Sequence, residues 1–256
     1  MNQDIPIIYE DPNVLVINKS AGLSVHGDGV NQMETLADWL LARYPEMGEV
    51  GEDILSQKGE VIKKPGLVHR LDKDTSGVMI VAKNQATFEF LKKQFQNRET
   101  KKVYRAILSG MLKMVPGEEK IIDQPIGRSR KDPRKRVASK NADGLVREAV
   151  TIFRLIENLG DKYAYVEAEP KTGRTHQVRV HAQAFSHPII GDHLYNPNDN
   201  GGGVIERQAL HAYSLTVKLP FFAKATKGEA KGAKMTFIAP LASGFAQALE
   251  KLKASC

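Results

Sequence analysis

The sequence predicts an α+β fold, a mixed and largely antiparallel sheet with flanking helices, built as a single domain over residues 1–256. Three observations predict it. Short β-branched runs recur in pairs around tight polar turns, the pattern of hairpins. Four segments carry apolar residues at helical spacing. Hydrophobic residues make up 41% and charged residues 26% of the chain, which is ordinary for a globular protein and excludes a mostly disordered one. Repeated hairpins argue against a doubly wound parallel sheet.

The elements follow in order. Ile5 to Tyr9 and Val14 to Ile17 read as strands around the turn Glu10-Asp11-Pro12-Asn13. Ala21-Gly22-Leu23 leads into a loop around Val25-His26-Gly27. Thr35 to Tyr44 places Leu36, Trp39, Leu40 and Tyr44 on one helical face, and Pro45 ends it. Residues 46–66 are acidic and polar and read as a surface excursion. Leu67-Val68 and Val78 to Ala82 read as strands flanking the turn His69 to Gly77. Ala86 to Phe95 is a helix with Phe88, Leu91 and Phe95 on one side. Val103 to Leu108 alternates as a strand. The run 127–147 lacks apolar periodicity and reads as a loop or long hairpin tip. Ala149 to Ile156 and Tyr163 to Glu169 form a strand pair. Thr175 to Phe185 reads as a short helix with Thr175 as its N-cap. Tyr213 to Leu219 and Lys234 to Ile238 are strands around a basic tip, Lys224 to Lys234. Ala242 to Leu252 closes the chain as a helix.

No apolar run approaches the roughly 18–20 residues a spanning helix needs, so a membrane partner is not expected. Met1 to Pro6 is polar and lacks the character of a secretory signal. The single cysteine, Cys256, can neither staple the fold nor build a thiolate metal site, and a reducing, cytoplasmic setting fits. Charge is unevenly spread. The formal net charge is +7, yet residues 1–60 hold eleven acids and three bases. Arg128, Arg130, Lys131, Arg134, Lys135, Arg136, Lys140 and Arg147 face only three acids between Asp123 and Arg147. Arg98, Lys101, Lys102 and Arg105 form a second cluster. Such clusters suit a polyanion, RNA or DNA first, or else a solvated face that keeps the protein in solution.

Two stretches carry candidate chemistry. His69-Arg70-Leu71-Asp72-Lys73-Asp74-Thr75-Ser76-Gly77 is polar and lies between apolar runs, an arrangement that can hold a carboxylate rigidly as nucleophile, base or ligand. Its alternative is a surface turn whose Asp and Ser satisfy turn amides. Asp72-Lys73-Asp74-Thr75 resembles the aspartyl-phosphate phosphatases, but Thr75 lies three residues after Asp72 and not four, so phosphoryl transfer is rejected. The second stretch, Lys171 to His181, holds Arg174, His176, Arg179 and His181. Arginine is the natural fork for a buried carboxylate, or it binds phosphate. His176 and His181 are five apart, a poor spacing for two ligands on one helix face, and no acid or Cys joins them, so no metal is expected.

Together these stretches resemble the RluA-type pseudouridine synthases, which isomerise uridine in ribosomal and transfer RNA. His69-Arg70-Leu71-Asp72 with Thr75-Ser76-Gly77 is similar to the family's signature, and Gly173 to His181 to its second motif. Lys102-Val103-Tyr104-Arg105-Ala106 resembles the segment that carries its active-site tyrosine. Tyr9-Glu10-Asp11 with Asn18 to Gly22 resembles its opening strands, with Ser20 where proline is usual. Gly191 to Tyr195 and Leu210-His211-Ala212 resemble its closing motifs. The similarity runs in order from about residue 5 to 245.

The resemblance implies the pseudouridine synthase catalytic fold and an enzyme without cofactor or metal, acting as a monomer. Asp72 would be the catalytic carboxylate, Tyr104 would pack on the uracil, and Arg179 would ion-pair with Asp72. Leu210 would line an apolar wall, and Arg70 and Arg174, with His69 and Thr75, would bind the substrate. Arg128, Arg130, Lys131, Arg134, Lys135 and Arg136 would bind RNA. The small RNA-binding module that many relatives carry before the catalytic domain is not expected. The alternative, from another class, is a non-catalytic RNA-binding or ribosome-assembly protein on the same fold; a pure binder would need none of Asp72, Tyr104 and Arg179.

Overall fold

Asp11 turns the chain at the first hairpin: its Oδ1 accepts from the amides of Asn13 and Val14, both at 2.7 Å. The strands on either side are β1 (Ile7–Glu10) and β2 (Val14–Lys19). In the computed structural model, residues 4–27, 34–55, 59, 61–140, 142–220 and 234–255 are described. The chain continues through α1 (Leu36–Arg43), β3 (Ile54–Leu55), β4 (Val61–Ile62), β5 (Ser76–Ala82) and α2 (Gln85–Gln96). Then follow β6 (Lys101–Ser109), β7 (Glu119–Asp123), β8 (Ile126–Arg128), β9 (Arg136–Ala138), β10 (Asp143–Arg147), β11 (Val150–Leu159) and β12 (Tyr163–Pro170). The last elements are α3 (Gln177–Ala184), β13 (Leu210–Lys218), β14 (Lys234–Ile238) and α4 (Ser243–Ala254). Among the described residues the fold is thus mixed α+β with a largely antiparallel sheet and four helices.

The chain forms two compact units. The first comprises residues 1–101 and 214–240; the second comprises 102–213 and 241–256. In the first, β1, β2 and β5 pair antiparallel in that order, and the second half of β13 pairs antiparallel with β14. All seven residues of β5 are buried, which is why the run reads as continuously apolar from Val78 onward. Helix α1 starts on a capping box: Thr35 Oγ1 accepts from the Asp38 amide, and Asp38 Oδ2 accepts from the Thr35 amide. The acidic stretch after it is not featureless, because Met47 is fully buried on a 3₁₀ turn and β3 pairs with β4. Leu67 makes only an isolated bridge to Val81, so the expected strand Leu67-Val68 does not form. At Gly66, φ is +61° and a Cβ would stand 2.0 Å from the Ala82 carbonyl oxygen; only glycine lets the chain pass that close to β5.

In the second unit, β6, β12, β11 and β7 form an antiparallel sheet in that order. Strand β7 is an addition to the sequence reading. Its burial is confined to Ile122, so it shows no clean alternation. Phe153, Leu155, Val166, Ala168, Val178, Ala182, Phe245 and Leu249 belong to one buried cluster, which joins the sheet to α3 and α4. Of the loop or long hairpin tip expected over 127–147, the structure forms the hairpin, β8 with β9, and adds β10, so that β10, β8 and β9 form a small antiparallel sheet in that order. The tip joining β8 to β9 is itself ordered by the Ser129 amide donating to the Lys135 carbonyl (3.1 Å) and the Lys135 amide donating to the Asp132 carbonyl (2.9 Å). The basic run also has an apolar root, because Ala138 packs on a cluster of Ile126, Ala149, Val180 and Tyr195. The tip expected at Lys224 to Lys234 lies, apart from Lys234, outside the described residues.

Candidate active site

The first unit carries the Asp72 turn. It leaves the Leu67 bridge and re-enters β5, so buried strand anchors it on the C-terminal side. Its backbone is closed by the Thr75 amide, which donates to the Asp72 carbonyl at 3.1 Å, and both Leu71 and Thr75 are buried. The next carbonyl, that of Lys73, accepts from the Gly22 amide (3.0 Å) and from Lys19 Nζ (2.9 Å). Lys19 is fully buried, and its ammonium also donates to the carbonyls of Ser20 (2.8 Å) and Leu23 (2.9 Å). A buried ammonium without partners would be very costly; three carbonyl dipoles matched to its three protons offset that cost and fix the turn against the end of β2. Asp72 itself remains only partly buried on this clamped backbone.

The flanking residues divide the work. His69 Nε2 accepts from the Ile80 amide at 3.0 Å, which sets the proton on Nδ1, and its ring stacks on Phe95 with centroids 4.6 Å apart. His69 therefore ties the turn to β5 and α2, a positioning task that was not read from the sequence. Arg70 is exposed, and its Nη1 lies 3.1 Å from His26 Nε2. His26 Nδ1 donates to the Gly27 carbonyl at 2.8 Å, so Nε2 is the acceptor for the guanidinium. Burial, aided by the positive charges of Arg70 and Lys64, holds the His26 pKa below its ordinary value and outweighs the Gly27 carbonyl, keeping the ring neutral. The sequence reading left His26 in a loop without a role.

The second unit carries the arginine motif. Arg179 sits on α3 and is 7% exposed; Asp192 is 1% exposed. They form a fork, Nε to Oδ2 at 2.6 Å and Nη2 to Oδ1 at 2.8 Å. Asp192 Oδ1 also accepts from the amides of Leu194 and Tyr195 at 3.1 and 3.0 Å. Gly191 makes this turn possible: its φ is +66°, and a Cβ there would stand 2.3 Å from the Arg207 carbonyl oxygen. The Tyr195 ring lies 4.9 Å from the Arg179 guanidinium carbon, and its hydroxyl accepts from the Arg136 amide at 2.8 Å and meets His176 Nδ1 at 2.9 Å. Asp192 and Tyr195, seen in the sequence only as part of a motif, are thus the residues that seat Arg179. A buried guanidinium demands a carboxylate, and that rule was the available signal.

Helix α3 differs from expectation at its start. His176, not Thr175, is the N-cap; it adopts φ +57° and caps with no side-chain bond, while Thr175 is exposed. Gln177 replaces the cap. Its Oε1 accepts from Thr172 Oγ1 (2.6 Å) and the Arg174 amide (3.0 Å), and its Nε2 donates to the Val150 carbonyl (2.9 Å). Arg174 donates Nε to the Glu148 carbonyl at 3.0 Å. His181 is fully buried, bonded to Thr151 Oγ1 and the Gln124 carbonyl, and burial holds its pKa below the ordinary value.

Tyr104 lies on β6 opposite Ala168 and packs, half-buried, on the cluster that contains the buried Leu210. Lys102, two residues earlier on the same face, donates Nζ to the Thr172 carbonyl at 3.3 Å. Burial, joined by the charge of Arg174, pushes its pKa down to about 8. On the small basic sheet, Arg128, Arg130, Lys131 and Arg134 are exposed, and Lys135 and Arg136 are half-buried. Arg134 forks onto Asp132 (Nε to Oδ1 3.0 Å, Nη2 to Oδ2 2.9 Å), and that guanidinium pulls the Asp132 carboxyl down to about 2. The structure therefore gathers His69, Arg70, Asp72 and Thr75 into one turn of the first unit, and Tyr104, Arg174, Arg179 and Leu210 into the second. Among the described residues no helix is long and apolar enough to cross a membrane.

Comparison with known proteins gives a consistent result. Residues 13–184 match the RNA pseudouridylate synthase family. The chain is 35% identical over 253 residues to an uncharacterised RNA pseudouridine synthase of Synechocystis, covering 98% of this chain and 70% of that one. It is 39% identical over 225 residues to the ribosomal large subunit pseudouridine synthase D of Neisseria meningitidis, covering 84% of this chain but 55% of that protein's length. Among solved structures, human RNA pseudouridylate synthase domain containing 4 superposes with a TM-score of 0.67 at 25% identity, covering 97% of this chain and 93% of that one.

Proposed function

Since the chain belongs to the RNA pseudouridylate synthase family, we propose that it isomerises uridine to pseudouridine in RNA, ribosomal or transfer RNA in the first instance, with Asp72 as the catalytic carboxylate. The observation that carries this reading is the Asp72 turn. A half-buried carboxylate residue sits on a backbone clamped by a buried ammonium, a histidine-to-strand bond and a turn amide. A solvated surface turn needs no such rigidity, whereas a nucleophile that must meet one atom of a base does.

The residues then take the following roles. The target nucleotide leaves its stack, at a cost of a few kcal/mol, to reach a carboxylate inside a protein. Arg70, steadied by the neutral His26, meets the RNA strand or its phosphate. Tyr104 offers its ring to the uracil, and Leu210 supplies apolar wall beside it. Asp72 attacks the target nucleotide at the base or the sugar and the glycosidic bond to nitrogen breaks; the uracil turns and bonds to the sugar through carbon as the bond to Asp72 is released, that carbon gives up its proton, and the freed ring nitrogen takes one up. The atoms of the product equal those of the substrate, so neither water nor an electron carrier enters the balance. Arg179, held by Asp192 and Tyr195, is the cation assigned to orient Asp72. The small basic sheet binds phosphates away from the chemistry. The protein works in the cytoplasm as a monomer, without metal or cofactor.

The test is direct. The purified chain is incubated with uridine-containing ribosomal and transfer RNA, and nucleosides are analysed after digestion. Pseudouridine formed by the wild type and absent with Asp72→Asn is the expected result. RNA binding without isomerisation in any of these RNAs would instead leave a non-catalytic RNA-binding protein.

A further inference from the structure

Past the C-terminal end of α3, within the second unit, is a cavity of about 340 Å³ that holds no residue assigned to the chemistry or to the basic sheet. That size stands at the lower end of the roughly 300–1,000 Å³ of small-ligand pockets. Met111, Met114 and Phe185 give it walls of thioether and ring. The backbone shapes it. Ser186 takes φ +63°, a left-handed conformation uncommon for a residue with a side chain, and on either side of it Phe185 and His187 both line the cavity. Gly110 lets His187 approach, since a Cβ there would stand 3.0 Å from His187 Nδ1. That nitrogen lies 3.0 Å from the Ser109 carbonyl, to which it can only donate. In the neutral ring Nε2 is then an acceptor, and among the described residues it has no donor. The Phe185 ring is half-buried, with its centroid 6.1 Å from that of the buried Phe153 and 4.9 Å from that of His187.

The charges of the cavity are unbalanced. Lys113 and Lys120 line it, both exposed, and among the described residues neither makes an ion pair. Lys120 Nζ stands 5.9 Å from the centre of the Phe185 ring. Of the two acids present, Glu119 pairs with Arg154, and Glu118 turns its Oε2 to the Val115 amide at 2.9 Å. Two unpaired ammonium groups therefore face one remaining carboxylate. Solvated lysines are ordinary on their own. Beside a ring, two thioethers and an open acceptor, they complete a site for a flat heterocycle that carries an anion. We propose that this cavity takes one unstacked nucleotide of the RNA, at a point other than the uridine presented to Asp72. The base lies against Phe185 and the thioethers, one of its N–H groups donates to His187 Nε2, and Lys113 and Lys120 meet the flanking phosphates. An apolar peptide would cover the same walls but leave both ammonium groups without an anion. The proposal rests on the reading of the chain as an RNA-modifying enzyme.

The experiment measures, by anisotropy, the affinity of a fluorescein-labelled decauridylate for the full chain at several salt concentrations. Phe185→Leu keeps apolar volume and removes the flat face, so it should weaken binding by about fivefold or more. Lys113→Gln combined with Lys120→Gln should lower the magnitude of the log–log salt slope by about 1.4, the value of two single-strand phosphate contacts. Met111→Glu, at a side chain 44% exposed, should weaken binding by setting a carboxylate against the phosphates. Thermal melts establish folding; should Phe185→Leu be destabilised, the lysine pair and Met111→Glu, all at exposed positions, carry the test. Wild-type affinity in Met111→Glu, or a wild-type salt slope in the lysine double variant, would overturn the nucleotide site, and a peptide occupant predicts both of those results. Pseudouridine formation in ribosomal and transfer RNA is assayed in parallel with wild type. An active wild type whose cavity variants bind RNA unchanged sinks the nucleotide site alone. Cavity variants that weaken RNA binding in a protein that makes no pseudouridine sink the enzymatic reading and keep the site.

Discussion

Removing the Asp192 carboxylate should cripple the protein twice, in stability and in rate. In Asp192→Ala the Arg179 guanidinium loses both bonds of its fork, and the amides of Leu194 and Tyr195 lose their acceptor. Arg179 is 7% exposed, so water cannot replace the lost partner. Stranding one member of a buried pair costs about 3–5 kcal/mol. At about 2–4 °C per kcal/mol for a chain of this size, the melting temperature should fall by roughly 6–20 °C. Asp192→Asn keeps an oxygen for the two amides and loses only the charge, so it should fall between wild type and Asp192→Ala. Turnover on RNA should drop by about a hundredfold even well below the melting point, because an arginine displaced by about 1 Å no longer aligns the group it serves. Differential scanning calorimetry and single-turnover rates at 15 °C below each midpoint separate the two effects. An Asp192→Ala protein that melts within about 2 °C of wild type would show that the fork contributes no more than a surface pair. One that is destabilised but turns over at the wild-type rate would remove Arg179 from the mechanism.

Other consequences are open to measurement. Asp72→Asn should fold with an unchanged circular dichroism spectrum and form no pseudouridine, since the amide is nearly isosteric and a poor nucleophile; wild-type turnover would return the turn to a structural role. Replacing Arg128, Arg130 and Lys131 with Ser should flatten the log–log salt dependence of RNA affinity by about 2–2.7, whereas Arg134→Ser should change it less, because Asp132 already neutralises that guanidinium. A change of about 0.7–0.9 for Arg134→Ser, the full value of one phosphate contact, would mean the Arg134–Asp132 fork opens on RNA. His26 has its pKa lowered in the fold, so it contributes stability above the ordinary histidine value of about 6.5, and that contribution is lost as pH falls through the lowered value. Urea unfolding should show wild type losing more stability than His26→Gln between pH 7 and pH 5, and parallel losses would count against a neutral His26.

Much of this was legible in the residues, and what escaped has a physical reason. The buried strand Ser76–Ala82 and the helix Gln85–Gln96 announce themselves by apolar content and period. The Asp72 turn follows from its place between apolar runs. By contrast, β8, β9 and β10 are only three to five residues long, and of their residues only Ile126 and Gly127 are buried, so no alternation marks them. The partner of Arg179 stands thirteen residues away across a turn that only Gly191 permits, and no local pattern encodes that meeting. Thr175 fits the composition of an N-cap, but Gln177 reaches back to the Arg174 amide and takes the task from inside the helix. His26 escaped for the same reason as Asp192: its partner Arg70 is forty-four residues on.

The anchoring of the basic sheet bears on how a polyanion would be received. Its root is pinned where the Arg136 amide meets Tyr195, and its tip by the Ser129, Asp132 and Lys135 backbone bonds. A mobile arm with the same charges would have to surrender about 1–2 kcal/mol of backbone entropy for each residue it ordered on docking. Here that entropy has already been surrendered during folding. The cations are presented as a rigid comb whose spacing exists before the ligand arrives. Association should therefore be governed by counterion release, with little heat-capacity change from coupled folding. The same pinning transmits in the other direction. Tyr195 holds the root of the comb with its hydroxyl and the Arg179 guanidinium against its ring, so a phosphate drawn across Arg136 pulls on the residue that seats Arg179.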